Sequence, residues 1–312
     1  MHDVGTRRPG ITLVALVTAI TTPACTGGEP DPSARSALGD DTITIGSFDF
    51  AESVVVAEIY GQALEARGYP VERALALGPR EFVAPAMAAG LIEFVPEYSG
   101  TASEFASLGV AEPSGDAGHT HGELLHVLGD GPVAALAAAP AQSVNTFVVT
   151  EATAEEHALV TLSDLGPVAA GMTFGGPPEC AARPLCLAGL VDVYGLRFEG
   201  VTVLDTGGPL TRQALRSGGV DVALLFTTDP GIAEEGLVEL IDDRGLQPAE
   251  NVTPLVRSEV IDEWGQGIVD VIDSVSSRLT TAAVRELNAA LGRAGETPAA
   301  VAARWLEREG LS

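Results

Sequence analysis

Hydrophobic and polar residues recur along residues 42–101 in a pattern that predicts a strand-helix-strand-helix-strand unit. A short β-branched run is followed by apolar residues at every fourth position, in the rows Val55, Ile59, Ala63 and Val56, Tyr60, Leu64. This spacing is typical of one buried face of a helix. The predicted elements are a strand at Ile43–Ile45, a helix from about Glu52 to Gly68, a strand at Tyr69–Leu77, a helix from Pro79 to Gly90 and a strand at Leu91–Val95.

The connections within this unit indicate where a ligand would bind. Parallel strands joined by right-handed crossovers end at the same edge of their sheet, so the turns at Ser47–Glu52 and Pro96–Thr101 lie side by side. Open α/β sheets bind ligands beyond the carboxyl ends of their strands. We therefore expect functional residues in these two turns.

The remainder of the chain predicts a second α/β set inserted into the first. A strand at 145–149 leaves the first set, and residues 251–257 return to it as another strand. The elements predicted between them are strands near Ala169–Phe174, Val201–Leu204 and Val220–Leu225 and helices over Ala188–Tyr194 and Leu210–Ser217. Helices at about 267–279, 281–292 and 298–309 then cover the first set. Two such strand crossings form a hinge, with a cleft between two lobes.

The first 41 residues have the pattern of an export signal followed by a tether. Two arginines precede an apolar run at Ile11–Ile20, and small residues lead to Cys25. This run is too short for a permanent membrane span, and the whole pattern is typical of a signal peptide. We predict a lipoprotein-type signal at 1–24, lipidation of Cys25 and a flexible tether at 25–41. An ordinary signal peptide with an incidental cysteine is the alternative.

The charge balance argues against nucleic acid as a partner. The chain has 17 basic residues, all of them arginine, and 43 acidic ones, which gives a formal net charge of −26. Phosphate binding needs a basic face, which this composition does not offer. The acidity fits a solvated surface outside the cell, and a composition bias of the source genome explains it equally well.

Two further cysteines, Cys180 and Cys186, lie six residues apart. In an exported chain such a pair is most simply a disulfide, and a metal site is the alternative. Three clustered histidines, at 119, 121 and 126, are residues that can bind zinc, but a loop entering a helix also explains them. We expect neither a metal nor a cofactor.

No enzyme signature is present in the sequence. It contains no nucleophile elbow of the G-x-S-x-G type, no P-loop and no dinucleotide-binding fingerprint. Paired acids such as Glu155-Glu156 and Asp242-Asp243 are typical of solvated faces. We therefore predict a protein that is not an enzyme.

Several segments resemble the substrate-binding proteins of glycine betaine/choline (osmoprotectant) ABC transporters. They are IGSFDFAES, AEIYGQALEARGYPVERALALGPRE, PEYSGT, AQSVNTFVVT, GPPECAARPLCLAGLVDVYGL, DVALLFTTDP and LVELIDDRGLQPAENVTPLVR. The resemblance covers roughly residues 42–310. It implies an α/β, two-lobed periplasmic-binding-protein fold of type II, with residues 42–144 plus 249–312 in lobe I, residues 145–248 in lobe II and the ligand cleft between the lobes.

The resemblance also implies which residues bind the ligand. Aromatic faces hold quaternary ammonium cations by cation–π attraction, and an arginine suits a ligand carboxylate. The aromatic cage positions of the family fall on Tyr98, Phe147 and Phe226, and its carboxylate-binding arginine falls on Arg183. The other residues expected to line the cleft are Phe48, Asp49, Thr101 and Asn145.

One cage position departs from the family pattern. Where members of the family often have tyrosine, this chain has Glu250. A carboxylate about 4 Å from a bound cation attracts it by ~4 kcal/mol at an effective dielectric constant of 20, before desolvation costs, and repels a ligand carboxylate. The ligand predicted from the sequence is therefore a betaine, a choline-like cation or, as a further alternative, a neutral solute.

Together with the export signal, the resemblance implies an extracytoplasmic solute-binding lipoprotein of an ABC importer, which binds a quaternary ammonium osmoprotectant and is anchored to the outer face of the cell membrane through Cys25. Its expected partners are a quaternary amine, the permease subunit and the membrane. A lipid-anchored sensory or scaffold protein of the same fold that binds another solute is the alternative. An enzyme acting in the cleft would be revealed by turnover of its ligand.

Overall fold

The computed structural model describes residue 2 and residues 42–312. The predicted export signal, the tether and the lipidation site at Cys25 lie outside the described residues. Within residues 42–312, ten strands form two sheets. The strands are β1 (Ile43–Gly46), β2 (Val71–Ala74), β3 (Phe94–Tyr98), β4 (Val133–Ala135), β5 (Asn145–Thr150), β6 (Thr173–Gly176), β7 (Gly200–Val203), β8 (Val222–Phe226), β9 (Leu237–Glu239) and β10 (Val252–Arg257).

Helices cover both sheets. They are α1 (Ala51–Ala66), α2 (Arg80–Ala88), α3 (Ser99–Ala106), α4 (Ala117–Leu128), α5 (Glu151–His157), α6 (Leu187–Tyr194), α7 (Pro209–Arg216), α8 (Gly231–Glu234), α9 (Ser258–Trp264), α10 (Gln266–Ser276), α11 (Thr281–Leu291) and α12 (Pro298–Glu309). Short 3₁₀ helices lie at Leu162–Leu165, Ala169–Gly171 and Pro178–Ala181. Among the helices of residues 42–312, none is both long and apolar enough to span a bilayer.

The first sheet has the strand order β2-β1-β3-β10-β4. Strand β1 pairs in parallel with β2 and β3, whereas β10 runs antiparallel to β3 and β4. The predicted parallel unit at the start of the chain is thus confirmed, and so is the late strand that returns to it. The carboxyl ends of β1 and β3 lie at one edge of this sheet, as the crossover rule requires.

Helix α1 buries the apolar rows that the sequence pattern predicts. All six residues of the two rows are at most 2% exposed. The ring of Tyr60 packs edge-on against Phe94 at a centroid distance of 5.2 Å, and its hydroxyl lies 2.8 Å from Ser276 Oγ in α10. Gly68, with φ of 85°, follows the helix in the left-handed region that glycine adopts without strain. The helix therefore joins the first sheet to the helices that end the chain.

The second sheet has the order β7-β6-β8-β5-β9 and is buried on both faces. The chain enters it between β4 and β5 and leaves it between β9 and β10. The two crossing segments bond to each other, because the Ser143 N–H donates to the Glu250 carbonyl at 3.0 Å and the Val252 N–H donates to that of Ala141 at 2.9 Å. The predicted two-lobed α/β architecture is confirmed, and its boundaries at 144/145 and 248/249 stay a prediction.

Some predicted boundaries are wrong. Strand β3 begins at Phe94 rather than at Leu91 and runs through Pro96, so the expected turn at 96–101 is instead a strand end followed at once by α3. Pro96 lies opposite Pro254 of β10. In an antiparallel pair, residues at alternate positions exchange no backbone hydrogen bonds, so two facing prolines cost none there. Strand β6 likewise begins later than expected, after a 3₁₀ turn.

Candidate functional site

A cavity of about 80 Å³ lies between the two sheets, beside the carboxyl ends of β3 and β8. It is several times larger than one water molecule requires. Its walls come from both sides of the cleft: Phe48, Asp49, Phe50, Pro79, Arg80, Tyr98, Thr101, Glu104, Phe105, Ser143, Asn145, Pro177, Glu179, Cys180, Arg183, Leu185, Cys186, Thr206, Leu224, Phe226 and Glu250. All of the predicted ligand-binding residues except Phe147 are in this wall.

Four aromatic rings form one cluster at the cavity, with Phe50 at its centre. The ring of Phe50 lies 5.9 Å from that of Phe48, 6.0 Å from that of Tyr98 and 5.4 Å from that of Phe226, measured between centroids. Phe226 ends β8 of the second sheet, Tyr98 ends β3 of the first, and Phe48 and Phe50 lie in the loop that follows β1. Behind Phe226 lies Gly207, with φ of 63°, where a Cβ would come within 2.9 Å of the ring. The cluster therefore spans the cleft.

Phe147 was expected in this cage, and the structure places it in the core of the second sheet instead. It is 1% exposed, and its ring packs against Phe174 at a centroid distance of 6.1 Å. Asn145 and Phe147 point to the same face of β5, but the second residue lies about 6.6 Å further along the strand. Only Asn145, which pairs with Phe226 and donates to the Leu185 carbonyl at 3.1 Å, reaches the cavity.

Arg80 is one of two arginines in the cavity wall, and it is paired with a carboxylate. Its Nε and Nη2 donate to the two carboxylate oxygens of Glu97 at 2.8 and 2.7 Å, and both side chains are buried. Burial lowers the pKa of Arg80, but the charge and hydrogen bonds of Glu97, together with the charges of Glu250 and Glu81, outweigh burial and raise this pKa overall. The guanidinium also lies over the ring of Phe48, with Cζ 5.0 Å from the centroid. Such a bidentate pair fixes the base of the aromatic cluster.

Arg183, the second arginine, is bonded across the cleft to the amino-terminal turn of α2. Its Nη2 donates to Glu81 Oε2 at 2.8 Å, and its Nη1 lies 3.9 Å from Glu179. Burial raises the pKa of Glu81, but the hydrogen bond and charge of Arg183 outweigh it and hold this pKa below 4.5. The predicted disulfide between Cys180 and Cys186 is present, with a Cα–Cα distance of 5.2 Å. Arg183 is therefore carried by a closed loop.

Glu250 is turned toward the amino terminus of α3 and bonded there. Its carboxylate accepts from the N–H of Gly100 at 3.1 Å, from the N–H of Thr101 at 3.0 Å, and from the hydroxyl of Thr101. Glu250 is 2% exposed. Burial raises the pKa of Glu250 to about 7, although the bonds from Thr101 lower it. Glu250, which stands where the family often has a cage tyrosine, therefore binds the amino terminus of α3 at the edge of the cavity. The amino terminus of a helix favours negative charge.

A buried carboxylate of α1, Glu52, joins the two sides of the cleft beside the cavity. It accepts from the hydroxyl of Tyr98 at 2.8 Å, from Asn288 Nδ2 at 2.6 Å and from the hydroxyl of Thr228, which follows β8. Asn288 Nδ2 also donates to the Thr228 carbonyl at 3.2 Å. The Thr228 hydroxyl lies 2.9 Å from Ser143 Oγ in the crossing segment. Side chains from three separated segments therefore meet at this carboxylate.

A larger cavity of about 550 Å³ lies on the other side of Phe50 and Phe226. Asp49 and Thr206 line both cavities, and Glu52 lines the larger one alone. Asp49 is exposed. The stacked rings of Phe50 and Phe226 thus separate an inner space from a wider outer one.

Sequence reasoning missed Phe50, Arg80, Glu104 and Glu52. A signal for Phe50 was available, because it stands two residues after Phe48 on extended backbone, where alternate side chains share a face. No comparable sequence signal identified Glu104. In the cavity wall, burial raises the pKa of this residue. The clustered histidines lie on α4, and the ring of one of them, His119, has Nε2 3.0 Å from the Glu112 carbonyl in the loop before the helix. In the part of the chain that is described, no group of three or more metal-binding side chains comes together.

Comparison with known proteins finds relatives over most of the chain. A model of the substrate-binding domain of ABC-type glycine betaine transport systems matches residues 41–308. The glycine betaine-binding protein YehZ of Escherichia coli K12 is 27% identical over 286 residues, which are 86% of this chain and 90% of the relative. The glycine-betaine-binding protein of Pseudomonas aeruginosa PAO1 is 29% identical over 282 residues, 87% of this chain and 89% of the relative.

Solved structures show the same fold. A crystal structure of a glycine betaine/carnitine/choline ABC transporter protein has a TM-score of 0.68 at 21% identity, and covers 86% of this chain and 99% of the other. The expected periplasmic-binding-protein fold is thereby confirmed. Because the family model spans most of the sequence, the chain belongs to the family of substrate-binding domains of ABC-type glycine betaine transport systems.

Proposed function

We propose that this protein binds a quaternary ammonium cation in the inner cavity and delivers it to the permease of an ABC importer on the outer side of the membrane. The observation that carries the proposal is the cluster of four aromatic rings, formed by Phe48, Phe50, Tyr98 and Phe226. A quaternary ammonium group offers no hydrogen bond, and aromatic faces attract it by roughly 0.5–2 kcal/mol each. The relatives named as glycine betaine-binding proteins support this ligand class.

The charges around the cavity favour a cation over a zwitterion. Both arginines of the wall are already bonded to carboxylates, Arg80 to Glu97 and Arg183 to Glu81. Four wall residues are acidic: Asp49, Glu104, Glu179 and Glu250. A ligand carboxylate would have to displace Glu81 from Arg183, whereas a choline-like cation needs no such exchange. We therefore propose that choline-like cations bind at least as well as glycine betaine.

The two lobes, proposed to divide at 144/145 and 248/249, would open and close about the paired crossing segments. Stacking of Phe50 on Phe226 and the ion pair of Arg183 with Glu81 join opposite sides of the cleft. Hinge motions of this kind absorb their backbone change in a few residues between the lobes. A ligand held by the aromatic cluster would favour the closed form. A permease could then distinguish the closed, ligand-bound protein from the open, ligand-free one.

Anchoring by a lipid on Cys25 is the proposed attachment to the membrane. A single substitution, Cys25→Ser, tests it, with expression in a lipoprotein-processing bacterium. We expect the parent protein in the membrane fraction, with a mass that includes acyl chains, and the variant in the soluble exported fraction. Equal release of both proteins would show that the cysteine does not anchor the chain.

The ligand is tested by thermal unfolding of the purified protein with choline, glycine betaine, carnitine, proline and the neutral choline analogue 3,3-dimethylbutan-1-ol. A ligand at a hundred times its Kd stabilises the folded form by ~2.7 kcal/mol, which raises Tm by roughly 5 °C in a chain of this size. We expect such a rise with choline and a smaller one with the neutral analogue. No rise with any quaternary ammonium compound at millimolar concentration would refute the proposed ligand class.

A further inference from the structure

Tyr98 and Glu52 form a hydrogen-bonded pair of which only the tyrosine lines the inner cavity. The hydroxyl of Tyr98 donates to Glu52 Oε1 at 2.8 Å. Tyr98 is part of the inner cavity wall, whereas Glu52 lies behind it and lines only the outer cavity. Glu52 is 5% exposed. Any effect of this carboxylate on a ligand in the inner cavity must therefore pass through the tyrosine or through space.

Glu52 accepts in each of its side-chain hydrogen bonds. Tyr98, Thr228 and Asn288 all act as donors toward it, and an ionised carboxylate can only accept. Within residues 42–312, no arginine or histidine forms a salt bridge with Glu52. The charge is thus satisfied by hydrogen bonds but is not neutralised by a side chain. A buried charge of this kind acts over a longer distance than one in water.

We infer that Glu52 is a positioning residue that makes the inner cavity selective for a positively charged ligand by acting through Tyr98. The inference rests on the proposed function, because it assigns a role toward the same ligand. A hydrogen bond to a carboxylate is charge-assisted, and it moves electron density from the O–H bond toward the phenol ring. A more negative ring face attracts a cation more strongly, and a neutral ligand of equal shape gains nothing from it.

The surroundings of the pair keep the donor and acceptor in these roles. Burial raises the pKa of Tyr98 well above its ordinary value of 10, and the charge of Glu52 raises it further, so the phenol stays protonated at physiological pH. Asn288 and Thr228 hold the second carboxylate oxygen of Glu52. The carboxylate is thereby fixed from both sides of the cleft, with one oxygen left for the tyrosine.

The test compares choline with 3,3-dimethylbutan-1-ol, its neutral carbon analogue, by titration calorimetry of the full protein. In the variant Glu52→Gln, we expect choline binding to weaken roughly tenfold, with the affinity for the neutral analogue changing less than about threefold. Tyr98→Phe, which keeps the ring and removes its hydroxyl, should reduce the preference for choline by a similar factor. The double variant should lose no more than either single one, because both remove the same bond.

The matched control is Glu58→Gln, which removes another largely buried carboxylate of α1, one that lies 3.5 Å from Arg73. It should leave the ratio of the two affinities unchanged. If Glu52→Gln or Tyr98→Phe weakens the binding of both ligands equally, or leaves the ratio of their affinities unchanged, Glu52 only stabilises the cleft and the inference is wrong. Should Glu52→Gln not fold, the ratio in Tyr98→Phe decides alone. Failure of the parent protein to bind choline would instead overturn the proposed function, and this inference with it.

Discussion

Replacement of Glu250 by glutamine tests whether burial or hydrogen bonding dominates at the end of α3. The pKa of this carboxyl rises from 4.5 to about 7 in the folded protein, with burial as the main cause. Between these two values the folded state holds a proton that the unfolded state has released, so stability falls as the pH rises. At ~1.4 kcal/mol per pH unit over about 2.5 pH units, the loss amounts to about 3.5 kcal/mol.

Glutamine imitates the protonated acid, because its carbonyl can accept from the N–H of Thr101 and its amide can donate to the hydroxyl of that residue. We therefore expect Glu250→Gln to match the parent protein near pH 5 and to exceed its stability by up to about 3 kcal/mol at pH 8. Urea unfolding of both proteins at pH 5, 6, 7 and 8, followed by tryptophan fluorescence, measures the difference. Other carboxyls with raised pKa, such as Glu104, contribute equally to both proteins and cancel.

The opposite result would refute the reasoning. An acid bonded to a helix amino terminus is ordinarily stabilised as the anion. If that effect outweighed burial, the parent protein would gain stability over Glu250→Gln as the pH rises from 5 to 8. A difference that does not depend on pH would show that Glu250 has the same proton affinity in both states. Either outcome would mean that Glu250 is fully ionised at neutral pH, so its whole negative charge would act on the ligand.

Three further predictions follow from the cavity wall. Phe50→Ala should weaken choline binding roughly tenfold, as measured by calorimetry. Phe147→Ala should instead lower the free energy of unfolding in urea by about 3–5 kcal/mol and leave the Kd of the folded protein for choline unchanged. Equal loss of affinity in both variants would contradict the placement of these two rings. Glu81→Gln, by freeing Arg183, should raise the affinity for glycine betaine relative to choline in competition binding, and an unmoved ratio would exclude that arginine as a carboxylate ligand. Reduction of the disulfide should cost about 2 kcal/mol of stability in the chain-entropy model, and an unchanged urea midpoint would contradict it.

The order of elements was readable from the sequence because it depends on local periodicity. The apolar rows of α1, the glycines that end helices and the alternation in β5 are set by nearest neighbours along the chain, and they predicted the parallel unit and the two crossings. Boundaries were less accurate where tertiary pairing decides. Strand β3 extends through Pro96 because it pairs with β10, in which Pro254 lies opposite Pro96. No local sequence pattern indicates that pairing.

The candidate site was predicted less completely than the fold. Alternation in a strand tells which face a side chain takes, and Asn145 and Phe147 do share a face of β5, but alternation does not tell how deep each lies. Phe174, brought against Phe147 from another strand, is what places that ring in the core. The partners of Glu52 and Glu250 are likewise more than 40 residues away in the sequence. Such long-range pairs were outside the reach of motif spacing.

The two arginines of the cavity wall differ in a way that bears on ligand choice. Arg80 and Glu97 lie in the same lobe, and both are buried, so removal of either would leave an uncompensated charge. Arg183 and Glu81 lie on opposite sides of the cleft and are 25% and 44% exposed, and such pairs contribute at most about 1 kcal/mol. A ligand carboxylate can therefore compete only for Arg183, and it must do so against Glu81 in the closed form. A cation without a carboxylate avoids this competition and also gains from the acidic wall. Because the pair contributes at most about 1 kcal/mol, substitution of Glu81 should shift the ratio of the two affinities toward the carboxylate ligand by up to about fivefold.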